Sequence, residues 1–225
     1  MWGQLSMPWQ IAIGQAWTAY CAGSLPIGAV IVSPQTEVIA EGRNRVYDAA
    51  VDGDPLQLRH HFMAHAEQNA FLSLGFRHRE KPETKQTLAS YSLYTTLEPC
   101  DMCLGTLIQS GLKSVYYLIP DPVGGAVETL TATAHVRQKD IMAQVAQPGP
   151  AADIALAWMI VTMVKGGMAI SAETFPLPAA YSKGFALGKV LAQSGDLDRF
   201  SFEQMPVSSV YDVLFEQLQN LPPVR

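Results

Sequence analysis

Apolar runs and polar breaks divide the chain into short elements. Trp9–Tyr20 is apolar, Pro8 suits the first turn of a helix, and Gly23-Ser24 ends it, so a helix is expected from Pro8 to about Ala22. Ile27–Val32 is short, apolar and β-branched, which reads as a buried strand. Ser33–Thr36 turns the chain into a second strand at Glu37–Gly42, and the pair is expected to form an antiparallel hairpin. A long connection over 46–63 follows, with a turn signal at Asp52-Gly53-Asp54-Pro55. Beside a binding site such a loop is either a lid or a surface insertion. A helix is expected from His65 to Gly75, then a solvated loop over 77–90 carrying the mixed charges of Arg77–Lys81. Ser92–Leu97 alternates like a central strand, Asp101–Ser110 reads as a helix stopped by Gly111, and Ser114–Ile119 as another strand. Strand, helix, strand in that order implies a parallel pair with a right-handed crossover.

Further on, Ile141–Val145 is expected as one more strand, Pro148-Gly149-Pro150 as a break, and Ala152–Val164 as a helix apolar on most faces. Glu173–Pro178 reads as a linker, followed by helices at about Ala180–Gln193 and Ser208–Leu218. In the last, Val210, Leu214, Phe215 and Leu218 share a face, with Ser208 or Ser209 as the cap.

The 225 residues suffice for a substantial core. Hydrophobic residues make up 48% and charged residues 16%, so the surface is sparsely charged or partly covered by a partner. A net charge of −5 offers no global attraction for nucleic acid. Residues 1–36 carry no charge, so the basic leading region of a secretory signal is missing. Ile154–Val164 is shorter than the roughly 20 residues of a membrane span, so no membrane partner is expected. Three cysteines suggest a reducing, cytoplasmic setting.

Two stretches carry chemistry: His65-Ala66-Glu67, and Pro99-Cys100-Asp101-Met102-Cys103, with Cys100 35 residues after His65. Two thiols one helical turn apart and a distant imidazole suit zinc, and three protein ligands leave one tetrahedral position for water. Glu67 would then be a carboxylate beside that water. A structural site would need a fourth ligand; Cys21 is the only other cysteine, so four thiolates are impossible within one chain, and His60, His61, His78 and His135 remain candidates. Neither a structural site nor a redox pair accounts for Glu67 and Pro99. Asn44, at the end of the hairpin, offers a donor and an acceptor to the edge of a heterocycle, or serves as a turn former.

His-x-Glu followed by Pro-Cys-x-x-Cys is the pattern of zinc nucleobase deaminases. Residues from about 8 to 165 resemble the cytidine deaminase superfamily, nearest its tRNA adenosine deaminase and guanine deaminase branch. The resemblance is carried by Leu25–Val32, Glu41–Arg45, Ala64–Glu67, Thr96–Cys103 and Ser110–Tyr117. It implies an α/β fold, a three-layer α/β/α sandwich around a mixed sheet of about five strands. A deaminase domain over 1–165 would precede a mostly helical C-terminal extension over 166–225. By the same resemblance His65, Cys100 and Cys103 hold one Zn2+, Glu67 shuttles protons, and Asn44, Ala66, Pro99 and Gly28 contact the substrate. A homodimer is also implied. The chain departs from tRNA adenosine deaminases at Asp121–Gly125, which lacks their lysine, and at Ala152–Val164, which lacks their Arg and Lys. The expected substrate is a small aminated heterocycle, a purine base or nucleoside. Adenosine in tRNA and a cytosine-type ring are the alternatives, and a zinc-stabilised binding protein without turnover is the non-enzymatic one.

Overall fold

The computed structural model describes residues 1–48, 56–171 and 173–221. Strands β1 (Gly28–Val32), β2 (Val38–Arg43), β3 (Ser92–Leu97), β4 (Ser114–Ile119) and β5 (Met142–Val145) form one sheet in the order β2-β1-β3-β4-β5. β1 is antiparallel to both neighbours, pairing Gly28 with Arg43 and Ala29 with Thr95. β3, β4 and β5 run parallel. The sheet is therefore mixed and five-stranded, and β3 is central, as expected.

Helix α1 (Met7–Cys21) covers the face of Val30 and Val32. Helices α2 (Ala66–Glu80) and α4 (Asp101–Ser110) cover the other face, where Ala29, Ile31, Leu93 and Val115 meet Phe71, Leu74, Leu104 and Leu107. These are the three layers. Alternation along the strands sends successive side chains into one helical layer and then the other. Two glycines let helix backbones reach the strand ends. A Cβ at Gly28 would lie 2.0 Å from the Ala12 carbonyl, and one at Gly42 would lie 2.3 Å from that of Ala66.

Three expectations are corrected. Helix α2 does not stop at Gly75 but runs to Glu80, and Lys85–Ser90 forms a further helix, α3, where a loop was expected. Gly75 costs a helix only about 1 kcal/mol; Phe71 and Leu74 are buried beside it, and Arg77, His78 and Arg79 in the last turn complement the dipole. Thr84 caps α3 by accepting from the Thr87 N–H. The Glu173–Pro178 stretch is not a loose linker, because Phe175 is buried in the core. The last helix has Pro206 at its N-cap, with no hydrogen bond from a capping side chain, rather than Ser208 or Ser209.

A short helix, α5 (Ala134–Arg137), precedes β5. In α6 (Pro150–Lys165) every residue from Ala152 to Val161 is buried. A helix apolar all round must be covered all round. α7 (Ser182–Ser194), α8 (Asp196–Phe202) and α9 (Val207–Asn220) supply that cover, sharing one apolar core with α6 and α1. α7 lies against α6 because Gly184 and Gly188 present no side chain: a Cβ on either would come within 2.7 Å of Asp153 or Ile160. Among the described residues no helix is long and apolar enough to cross a membrane.

Candidate active site

The start of β1 and the ends of β2, β3 and β4 share one edge of the sheet. The chemistry-bearing residues gather there. His65 and Cys100 occupy equivalent places, each the N-cap of its helix with extended backbone. Neither side chain caps its own helix, so both are free to turn towards a common point. Cys103, one turn into α4, is buried.

His65 Nδ1 lies 3.6 Å from Cys100 Sγ and 3.6 Å from Cys103 Sγ. A tetrahedral zinc ion, with Zn–S near 2.3 Å and Zn–N near 2.0–2.1 Å, needs sulfur and nitrogen ligands about 3.5–3.6 Å apart. The trio therefore fits zinc without rearrangement. Among the described residues no further His, Cys, Asp or Glu joins the group, so His60, His61, His78 and His135 do not close it. A hydrogen bond from Cys103, supported by His65, lowers the Cys100 thiol to about 3. The same bond, with burial, holds the Cys103 thiol up.

Glu67 stands in the first turn of α2 and is buried. Its Oε1 accepts from Thr95 Oγ1 at 3.1 Å, and its Oε2 lies 3.4 Å from Cys103 Sγ. Burial pushes its carboxyl above the ordinary range. Gln68 ties the two ligand-bearing helices together, donating to the Met102 carbonyl at 3.2 Å and to Thr106 Oγ1 at 2.8 Å. Asn69 joins α2 to the end of β2 by donating to the Arg43 carbonyl at 3.0 Å.

Asn44 is fully buried. Its Oδ1 accepts from Ser24 Oγ at 2.7 Å and from the Val46 N–H at 3.1 Å, the latter an Asx turn. Among the described residues its Nδ2 has no partner, an unusual state for a buried donor. Turn former and prospective ligand donor are thus the same residue. Asp48 Oδ2 receives Arg43 Nη2 and Arg45 Nε, both at 2.8 Å, which braces the backbone on either side of Asn44.

The other expected contacts are placed as follows. Ala66 opens α2 with a first-turn N–H that the helix cannot satisfy. The Pro99 carbonyl accepts from the Ala126 N–H at 3.0 Å. The Gly28 N–H donates to Thr96 Oγ1 at 3.2 Å, and its α-carbon faces α1, so close packing is what the structure assigns to it. Glu98, which the sequence did not single out, accepts from the Asp121 N–H at 3.1 Å and the Val127 N–H at 3.2 Å. It thereby folds the loop after β4 against the turn that carries Cys100. Ser24, Asp48, Gln68, Thr95 and Glu98 carry no motif of their own, and each is recognised by its partner. The turn signal Asp52–Pro55 lies outside the described residues, so the loop over 46–63 is not assigned as a lid or an insertion.

Fold and donor trio together define a zinc-binding protein of the α/β/α type. Residues 4–119 match the cytidine and deoxycytidylate deaminase zinc-binding region, and the chain belongs to that family. A cytosine deaminase of Candida albicans is 32% identical over 106 residues, 47% of this chain and 60% of that protein. A tRNA-specific adenosine deaminase of Haemophilus influenzae is 33% identical over 109 residues, 48% of this chain and 54% of that protein. The chain thus spans less than two thirds of either relative. A solved structure in complex with 2,6-diaminopurine shares the fold, with a TM-score of 0.51 and 21% identity over 75% of this chain and 88% of that one.

Proposed function

We propose that the protein is a zinc-dependent hydrolytic deaminase of a small aminated heterocycle, a purine base or nucleoside. One observation carries this reading: a buried carboxylate, Glu67, stands 3.4 Å from one member of a three-donor set that leaves zinc a fourth position. A purely structural site has no use for such a group.

His65, Cys100 and Cys103 would hold the ion. Zinc there supplies a water whose pKa falls to about 7. With the ion held there, Glu67 would take one proton from that water and deliver it to the ring nitrogen beside the attacked carbon. The water's oxygen would bond to the amidine carbon, and Glu67 would then take the second proton from the new hydroxyl as its C=O forms and pass it to the exocyclic amine, whose C–N bond breaks as ammonia leaves. The raised proton affinity of Glu67 suits this exchange, since a shuttle works best with a pKa near the operating pH. Asn44 Nδ2, buried and unpartnered, offers a hydrogen bond to a ring oxygen or nitrogen. A cytoplasmic location agrees with the thiol ligands, which oxidising compartments would threaten.

The substrate class is argued from charge. A net charge of −5 and the absence of Arg and Lys over Ala152–Val164 disfavour a polyanionic substrate. The likeness to tRNA-specific adenosine deaminases supports adenosine in tRNA as the second reading. The test is ammonia release from zinc-loaded protein with free purines, their nucleosides, cytosine, cytidine and an anticodon stem-loop. Glu67→Gln is expected to keep zinc and lose about 10²–10⁴ in rate. Full activity in that variant would overturn the mechanism, and turnover of the stem-loop alone would overturn the substrate class.

A further inference from the structure

The geometry points to an apolar subsite beside the active site, bounded by Met163 and Met168, that receives an alkyl or aryl substituent on the aminated ring rather than a phosphorylated sugar. The inference rests on the deaminase reading above and extends it to the part of the substrate that does not react.

Two cavities adjoin the site edge, of about 500 Å3 and about 490 Å3, and Met163 and Met168 line both. The first is walled by Leu97, three residues before Cys100, and by Asp121, whose N–H Glu98 holds. The second is walled by Ser24, whose hydroxyl holds Asn44. Both therefore touch residues that bond directly to the site's framework.

Their chemistry disfavours phosphate. Among the described residues no lysine or arginine lines the first cavity, and the carboxylate of Asp121 does. The cation at the second, Lys165, is engaged by Asp198 Oδ1 at 2.6 Å. A phosphate is held best by charge-assisted donors, and among the described residues neither wall presents an unpaired cation. The walls are instead apolar and include Met159, Met163 and Met168, whose unbranched side chains adapt to varied shapes.

The mouths carry exposed apolar side chains as well. Tyr47 at the second cavity is 64% exposed, and Val123 and Met168 at the first are 75% and 50% exposed. Apolar surface gathered around a cleft marks a binding site. Met159, Met163 and Met168 all follow residue 119, where the family match ends, so this wall lies outside the matched region.

The test uses full-length, zinc-loaded protein with methyl-13C methionine. The probes are adenine, guanine and cytosine, their N-benzyl derivatives substituted at the glycosidic nitrogen, and the matching nucleoside 5′-monophosphates. One benzylated ring is expected to bind at least about tenfold more tightly than its unsubstituted parent and than the monophosphate, and to move the Met163 and Met168 methyl signals. Met168→Glu should cut that advantage below about threefold, as should Met163→Ala, while Val190→Glu on the far helix α7 should preserve it. Tighter binding of a monophosphate, no benzyl advantage, or an advantage that survives both methionine variants would overturn the subsite. So would methyl shifts that follow protein concentration instead of ligand, which would mean that a second copy covers the wall. Ammonia release without a benzyl advantage leaves the deaminase reading intact and removes the subsite. A benzyl advantage without ammonia release keeps the subsite and removes the deaminase reading.

Discussion

Thr95 Oγ1 donates to Glu67 Oε1 at 3.1 Å, joining the central strand to the buried carboxylate of α2. Thr95 is itself fully buried, so no water replaces that bond. It acts as a positioning residue. Thr95→Val keeps the shape and removes the donor, and a hydrogen bond to a charged group contributes about 1.5–3 kcal/mol. The expected result is a fall in kcat of about tenfold or more, with zinc content and Tm little changed. Thr95→Ser should restore most of the rate. Equal rates in the valine and serine variants would show that the hydroxyl does nothing for Glu67.

Zinc is expected to stabilise the fold as well as activate water. Its ligands come from two separate helices, α2 and α4, so the ion cross-links the two elements. At free zinc about 100-fold above Kd the gain is about 2.7 kcal/mol. Chelation should therefore lower Tm, and zinc should raise it again in the wild type but not in Cys103→Ala. Calorimetry that finds no zinc-dependent change in the wild type would count against the metal site.

Two glycines in helices should respond in opposite directions. A Cβ at Gly75 meets nothing within 4 Å, whereas one at Gly188 would sit 2.7 Å from Ile160 Cβ. Gly75→Ala is expected to stabilise by about 0.4–1 kcal/mol. Gly188→Ala is expected to destabilise by about 1–3 kcal/mol through overpacking. Urea melts of the two variants test the pair, and stabilisation by both would contradict the close seating of α7 on α6.

Asp153 supplies a pH dependence far from the metal. Its Oδ1 accepts from the Gly184 N–H at 2.8 Å, and burial holds its carboxyl above the ordinary range. A raised folded pKa favours the protonated folded state. That stability is fully present below the unfolded pKa of about 3.9, and it is lost as pH rises through the folded value. Asp153→Asn retains an acceptor for Gly184 and cannot ionise. Its Tm relative to wild type should therefore climb as pH rises from about 4 and then level off. A gap that shrinks with rising pH would reverse the assigned sign.

The local signals in the sequence were sufficient for the five strands, for most of the longer helices and for the candidate donor trio. His65 and Glu67 are two residues apart, and Cys100 and Cys103 one helical turn apart, so covalent spacing alone restricts how each pair is presented. The hairpin, the central strand and the Gly111 stop are equally local, since apolar alternation and a left-handed glycine act within a few residues. The end of α2 was misread for the same reason, because Gly75 is a local breaker that tertiary packing outweighs.

Other features exist only once distant segments meet. Ser24 finds Asn44 across 20 residues, Thr95 finds Glu67 across 28, and Asp153 receives Gly184 across 31. None of these residues carries a pattern that names its partner. The mostly apolar α6 signalled that something must cover it, but only the docking of α7, α8 and α9 shows what does. The sequence by itself indicated most of the strands and longer helices and the candidate zinc donors, because those depend on periodicity and on short covalent spacing. The tertiary structure alone decided the unpartnered amide of Asn44, the hydrogen bond that holds Glu67 and the methionine wall beside them, because these arise where segments remote along the chain pack together.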